Sequence, residues 1–411
     1  MKKLISFVIF FSVFLAGCMH QTPQDIQQIT PTPVSTQVMA PSACAQNQSC
    51  KQEPIQTYPA SSATAEVKPS QNSQNELPQP AAFIVKDALG RAFSFQKIPE
   101  RIILLGKDAF ILADAVYAFP DAGSRILALS PLPAAKAEFL SIIDPQFTAK
   151  KILDEKVVPA EIAALKPDCV ILKPAEEQLG EALDALDIPV IYLEFETFEQ
   201  YDRDLETLGN LLGEQDRAIK LRAFYRTYLA DVRKYFKEAS PDELPKVLFL
   251  RYSEQNGAIN LSIPAPDSIQ SALIENAGGV PVWKEDAIGE ASTDLGVEQI
   301  SAWNPDFIFV STSNQKTLEA VSKLRNDPQL KASELLKKTS IRPMLGDFSP
   351  YDSADTRWSL GLLWITRTLH PSKIWPLDFY EAARNFYSTF YRMDTKTYEQ
   401  TIKPLLRPYF K

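Results

Sequence analysis

A pattern of ten residues occurs twice along this chain. Ile162-Ala163-Ala164-Leu165-Lys166-Pro167-Asp168-Cys169-Val170-Ile171 is matched by Ile300-Ser301-Ala302-Trp303-Asn304-Pro305-Asp306-Phe307-Ile308-Phe309. Each copy reads as a helix end, a Pro-Asp turn and an apolar strand at the same spacing. Proline stops a helix because it lacks an amide hydrogen and its ring crowds the preceding turn, and aspartate favours the turn that follows. The repeat predicts a duplicated α/β lobe.

The surrounding texture agrees. Short apolar runs recur at Arg101–Leu105, Ile126–Leu129, Cys169–Leu172 and Val190–Leu193, and again at Lys246–Leu250 and Phe307–Val310. Helical patterns separate them, as in βαβ units whose parallel sheet is buried on both faces. Before the first run, Val85 to Phe95 predicts a hairpin-like entry turning at Leu89-Gly90. Two helices divide the lobes: Phe198 to Leu212, stopped by Gly213, and Asp216 to about Ala239, free of Gly and Pro. At 1.5 Å per residue the second would be ~35 Å long, a plausible rigid spine. Helices are also expected over Ser268–Glu275, Gly361–Leu369 and Asp378–Tyr391. The fold class is therefore α/β: two Rossmann-like lobes with parallel sheets, joined by one long helix.

The first part of the chain reads differently. Lys2-Lys3, an apolar stretch from Leu4 to Ala16, and Leu15-Ala16-Gly17-Cys18 have the order of a signal peptide ending in a lipobox. The apolar stretch is shorter than the ~20 residues a membrane-spanning helix needs. Residues 1–17 are the expected signal, and Cys18 the expected lipidated residue. Residues 18–81 are rich in Gln, Pro, Ser and Thr, too poor in apolar surface to offset ordering, and read as a tether. Cys44 and Cys50 lie within it, either as a small disulfide loop or as unpaired thiols. The remaining boundaries are 82–197 for the first lobe, 198–239 for the connecting helices and 240–411 for the second lobe.

Composition removes several functions. With 43 Lys+Arg against 51 Asp+Glu, net charge -8, the chain lacks the basic face that nucleic acid requires. Only 2 His and 4 Cys argue against a metal site built from those ligands, and no cofactor is expected. Of the histidines, His370 reads as a helix-end cap, and Cys169 as an inert core thiol. No G-x-S-x-G elbow, P-loop or H-E-x-x-H is present. The excess of proline, 31 against 14 Gly, divides between the tether and the Pro-Asp turns.

Taken in order, the lipobox, the tether, Val85…Asp87…Gly90-Arg91, Ala164-Leu165-Lys166-Pro167-Asp168 and the long interlobe helix form a set. Val297-Glu298-Gln299-Ile300…Asn304-Pro305-Asp306 and Leu360-Gly361-Leu362-Leu363-Trp364…Leu369-His370-Pro371 complete it. Over residues 82–411 the chain resembles the substrate-binding lipoproteins of ABC importers for iron-siderophore complexes, haem and vitamin B12, the class III periplasmic binding proteins. The resemblance implies a non-enzymatic, monomeric receptor in the cell envelope, held to the membrane by lipid and facing the periplasm or the exterior. It would bind a metal chelate or corrinoid between its lobes and deliver it to a permease driven by a cytoplasmic ATPase. It also implies one acidic docking residue on each lobe. Glu298 falls on the family's position; in the first lobe that position is Ala160, and Glu161 is one residue later, turned by ~100°.

Ligands of open α/β sheets bind at the carboxyl ends of strands. That rule nominates Lys107, Asp108 and Lys173 in the first lobe and Arg251 and Tyr252 in the second, with Tyr351, Arg357 and Trp358 from the loop after Pro343. Arg251-Tyr252 and Arg357-Trp358 read as a cationic and aromatic wall suited to an iron-siderophore complex. Cobalamin, haem and a nickel chelate stay open. So do alternatives for the residues: packing under the loop for Trp358, a pair with Asp352 or Asp355 for Arg357, and a salt-bridged loop for Lys107 and Asp108. A reading of another class, an envelope lipoprotein hydrolase or metalloenzyme, lacks a nucleophile-base set.

Overall fold

The structure is a computed structural model, described here for residues 82–236, 238–256, 258–286, 295–313, 316–372 and 378–410. The signal, the tether and Cys18, Cys44 and Cys50 lie outside the described residues. Both sheets fall in one unit, Asn75–Lys411.

The chain enters through β1 (Phe83–Lys86) and β2 (Ala92–Phe95), an antiparallel pair. Buried Asp87 sets the turn by accepting from the amides of Leu89 and Arg91 at 3.0 and 2.9 Å. Gly90 takes φ +81°, a left-handed conformation that glycine adopts without strain. The first lobe follows with β3 (Ile102–Leu104), β4 (Ile126–Leu129), β5 (Lys151–Ile152), β6 (Cys169–Leu172) and β7 (Val190–Tyr192). They form a parallel sheet in the order β5-β4-β3-β6-β7. The second lobe holds β8 (Lys246–Gln255), β9 (Ala258–Ser262), β10 (Val280–Pro281), β11 (Phe307–Ser311) and β12 (Ser340–Pro343). Here the parallel order is β10-β8-β11-β12, and β9 runs antiparallel on the outer half of β8.

The sheets superpose as topologies, with β4-β3-β6-β7 answering to β10-β8-β11-β12, and the repeated sequence explains why. In each lobe the residue before the proline closes a helix in the left-handed region: Lys166 at φ 49° and Asn304 at φ 48°. The aspartate then pins the start of the central strand. Asp168 accepts from the amides of Glu100 and Arg101 at 2.8 and 3.0 Å, and its own amide donates to the Arg101 carbonyl at 2.8 Å. Asp306 accepts from the Lys246 amide at 2.8 Å, and its amide donates to the Lys246 carbonyl at 2.8 Å. The Pro-Asp turn is thus the clasp that sets the register of β6 on β3 and of β11 on β8.

The helix Phe198–Leu212 has the expected bounds, with a capping box from Thr197 and Gln200 and a left-handed stop at Gly213. The helix after it runs Gln215–Arg233, ~29 Å rather than ~35 Å. It ends early because Phe236 is drawn out of the helical path to stack on His370 at 4.2 Å and to cover Gly278, where a Cβ would meet its ring. The two helices cross closely: a Cβ on Gly209 would lie 2.4 Å from that of Ala218. No helix of the described residues is long and apolar enough to cross a membrane.

Candidate functional site

Each lobe opens a cavity at the carboxyl ends of its strands. In the first lobe it measures about 500 Å³ and is lined by Lys107, Ser130, Lys156, Glu155, Glu176 and apolar groups that include Leu132. Its rim is shaped where the chain leaves β3. Gly106 adopts φ +102° and donates its amide to Ser130 Oγ at 3.0 Å, and the Lys107 amide donates to Glu176 Oε1 at 3.3 Å. Lys107 is exposed there. Asp108, also exposed, precedes the helix Ala109–Tyr117. Lys173 follows β6 but is nearly buried, paired with Glu196 and 3.8 Å from Asp108. It does not line the cavity. The salt-bridged loop is the arrangement found for Asp108.

In the second lobe a cavity of about 350 Å³ is lined by Arg251, Tyr252, Gln270, Ser311, Thr312 and Asp352, among others. Arg251 is exposed on β8, whereas the Tyr252 ring is buried and its hydroxyl donates to Glu254 at 2.5 Å. Asp352 is buried and accepts from Ser311 Oγ at 2.8 Å and from Gln270 Nε2 at 3.4 Å. Burial pushes its carboxyl above the usual range, against the pull of those hydrogen bonds and of Arg251.

The other half of the expected wall does not form. Tyr351, Arg357 and Trp358 have no exposed surface. Arg357 is held at 3.1 Å from Asp114, 3.4 Å from Asp347 and 3.8 Å from Asp355, with its guanidinium 4.1 Å over the Phe139 ring. A guanidinium buried without carboxylates would be far too costly, so the partners explain the burial. Trp358 stacks on Tyr225 at 4.5 Å and on Phe198 at 4.3 Å, while the Tyr351 hydroxyl lies 3.3 Å from that of Tyr387. None faces a ligand: Arg357 joins the lobes through Asp114, Trp358 packs on the connecting helices and Tyr351 packs within the second lobe. Asp114, on a first-lobe helix, also accepts from the Thr356 amide at 3.1 Å and from the Tyr391 hydroxyl at 2.6 Å.

Gln270 and Asp352 were not singled out by sequence as cavity residues. A signal existed for Gln270, a polar side chain on a helix otherwise buried through Ile269, Leu273 and Ile274. Glu161 and Glu298 are exposed in the first turns of Pro159–Ala164 and Val297–Trp303, each just ahead of a buried isoleucine, Ile162 or Ile300. No group of His, Cys, Asp and Glu that could hold a metal ion occurs among the described residues.

A family model described as periplasmic binding protein matches residues 141–342. Over that segment the chain is similar to this family, whose members work outside the cytoplasm. Among solved structures it is similar to a periplasmic solute-binding protein of Veillonella parvula, at 21% identity, TM-score 0.64, covering 80% of this chain and 99% of that one. It is also similar to CeuE of Helicobacter pylori with Ni(II) bound, at 17% identity, TM-score 0.58, covering 79% and 99%. A third is MolA of Haemophilus influenzae bound to molybdate, at 16% identity, TM-score 0.59, covering 76% and 98%. These likenesses show the two-lobed α/β fold. No curated protein matches the sequence.

Proposed function

We propose that the protein is a lipid-anchored extracytoplasmic receptor that captures a metal chelate between its lobes and delivers it to an ABC importer. The observation that carries this reading is the pair of polar cavities, one at the strand ends of each lobe, in a chain whose residues 141–342 match the periplasmic binding protein family. An iron-siderophore complex is the favoured cargo, with Lys107 and Arg251 as its first contacts. CeuE with Ni(II) keeps a nickel chelate as an alternative within the same importer type, beside cobalamin and haem. Cys18 would carry the lipid, and Glu161 and Glu298 would meet arginines of the permease. Titration calorimetry of the purified chain with ferric siderophores, cobalamin and haem tests the reading. Binding at micromolar concentration supports it, and silence toward all of them together with turnover of an ester or phosphate substrate would sink it. Glu298→Arg is expected to abolish uptake in cells while leaving binding intact; normal uptake removes the docking role.

A further inference from the structure

With Arg357 withdrawn into the interlobe contact, the charge of the two cavities changes sense. The cations that line them are Lys107, Lys156 and Arg251, and the carboxylates are Glu155, Glu176 and Asp352, three against three. The cavities are balanced rather than cationic.

The second-lobe cavity is the more specific of the two. Asp352 is 4% exposed and Gln270 5% exposed, so both are built into its wall. Gln270 is oriented by its own amide, which donates from Nε2 to the Asp352 carbonyl at 2.9 Å. That leaves Oε1 buried without a hydrogen-bond partner. An unmet buried acceptor is costly, and a donor that reaches it recovers the cost. Beside it stands a carboxylate, another acceptor. A ligand that presents N–H or O–H groups satisfies both. One that presents only deprotonated oxygens meets an unmet acceptor and a like charge in a poorly solvated site.

We propose that the second-lobe cavity selects a chelate of no net negative charge that carries amide or ammonium donors, as trihydroxamates do, and rejects trianionic catecholate complexes. Arg251, on the rim, would donate to the carbonyl-type oxygens of such a chelate. This rests on the chelate-receptor reading above.

The test uses the full chain and two probes, ferrioxamine B and ferric enterobactin, by titration calorimetry. The expected result is ferrioxamine B bound at least about tenfold more tightly, a gap that Asp352→Asn closes by about tenfold, since an amide can donate where a carboxylate only accepts. Gln270→Met, which keeps the shape and removes the Oε1 acceptor together with the Nε2 bond to the Asp352 carbonyl, is expected to weaken ferrioxamine B several-fold and to bind ferric enterobactin no more weakly. It stands as the second test should Asp352→Asn melt early. Equal or tighter binding of ferric enterobactin overturns the inference and leaves the receptor reading intact. An unchanged ratio in both variants also overturns it. No response to either chelate overturns the siderophore reading and the inference with it.

Discussion

Arg251-Tyr252 and Arg357-Trp358 are the same pair of residue types in sequence, a cation followed by an aromatic, and the fold gives them opposite work. Arg251 stands where the parallel part of β8 ends, opposite Ser311 of β11, beside a cavity, and its side chain is exposed. Arg357 sits behind the loop after Pro343, enclosed by Asp114, Asp347 and Asp355 and by the Phe139 ring. One cation can meet a ligand; the other fastens the second lobe to a helix of the first. Residue type alone carries no such distinction, because arginine serves exposed recognition and buried pairing equally well.

The contrast breaks most sharply by mutation of the buried member. Arg357→Met leaves three carboxylates without their cation, and uncompensated buried charge costs about 3–5 kcal/mol. Urea unfolding should show a loss of that size, whereas Arg251→Ala should change stability by no more than about 0.5 kcal/mol and weaken chelate binding instead. Equal stability effects would mean that Arg357 is not the fastening described here.

A pH titration of stability reaches the same cluster from the carboxylate side. Burial, resisted by Arg357, raises the Asp355 carboxyl to about 6. Its folded value lies above the ordinary unfolded one near 3.9, so the folded state holds this proton more tightly. The contribution of Asp355 is then most favourable below about pH 4 and is lost as pH rises toward and past about 6, by up to about 3 kcal/mol. Asp355→Asn should flatten that segment of the stability curve. A wild-type curve and a variant curve of the same slope between pH 4 and 7 would remove Asp355 as its source.

How much of this was legible depends on how local the cause is. The central strands, several helices and the repeat follow from short patterns, and in the structure Thr197, Ser268 and Asp378 cap the helices that follow them. The early end of the helix at Arg233 was not readable, because it depends on Phe236 finding His370 and Gly278, far away in sequence. β5, β9, β10 and β12 were missed for a similar reason. They are short strands at the sheet edges, defined by their pairing with β4, β8 and β11. The site divides in the same way. Strand ends gave Lys107 and Arg251, but which charged side chains turn outward was set by the packing of one lobe on the other.

The Pro-Asp clasps offer a second comparison on a smaller scale. Asp168 serves two strand-start amides and Asp306 one. Alanine at either site should cost about 1–3 kcal/mol, with Asp168→Ala the larger loss, since it strands one more amide. Equal losses in urea unfolding would mean that water replaces the second bond at no cost.

The smallest test asks whether the two turns are physically the same. Lys166 and Asn304 share a left-handed backbone at φ 49° and 48°. Asparagine tolerates that conformation better than lysine, whose Cβ crowds the following carbonyl. The Lys166 side chain is exposed, and the bond that Arg101 Nε donates at 2.9 Å goes to the Lys166 main-chain carbonyl, which a substitution leaves in place. Lys166→Asn should therefore stabilise by about 0.5–1 kcal/mol, and Asn304→Lys should destabilise by a similar amount. If Asn304→Lys costs this much while Lys166→Asn gains nothing, the Arg101 clamp at the helix end already holds Lys166 so firmly that side-chain preference no longer counts. The two copies would then share a conformation but differ in what enforces it.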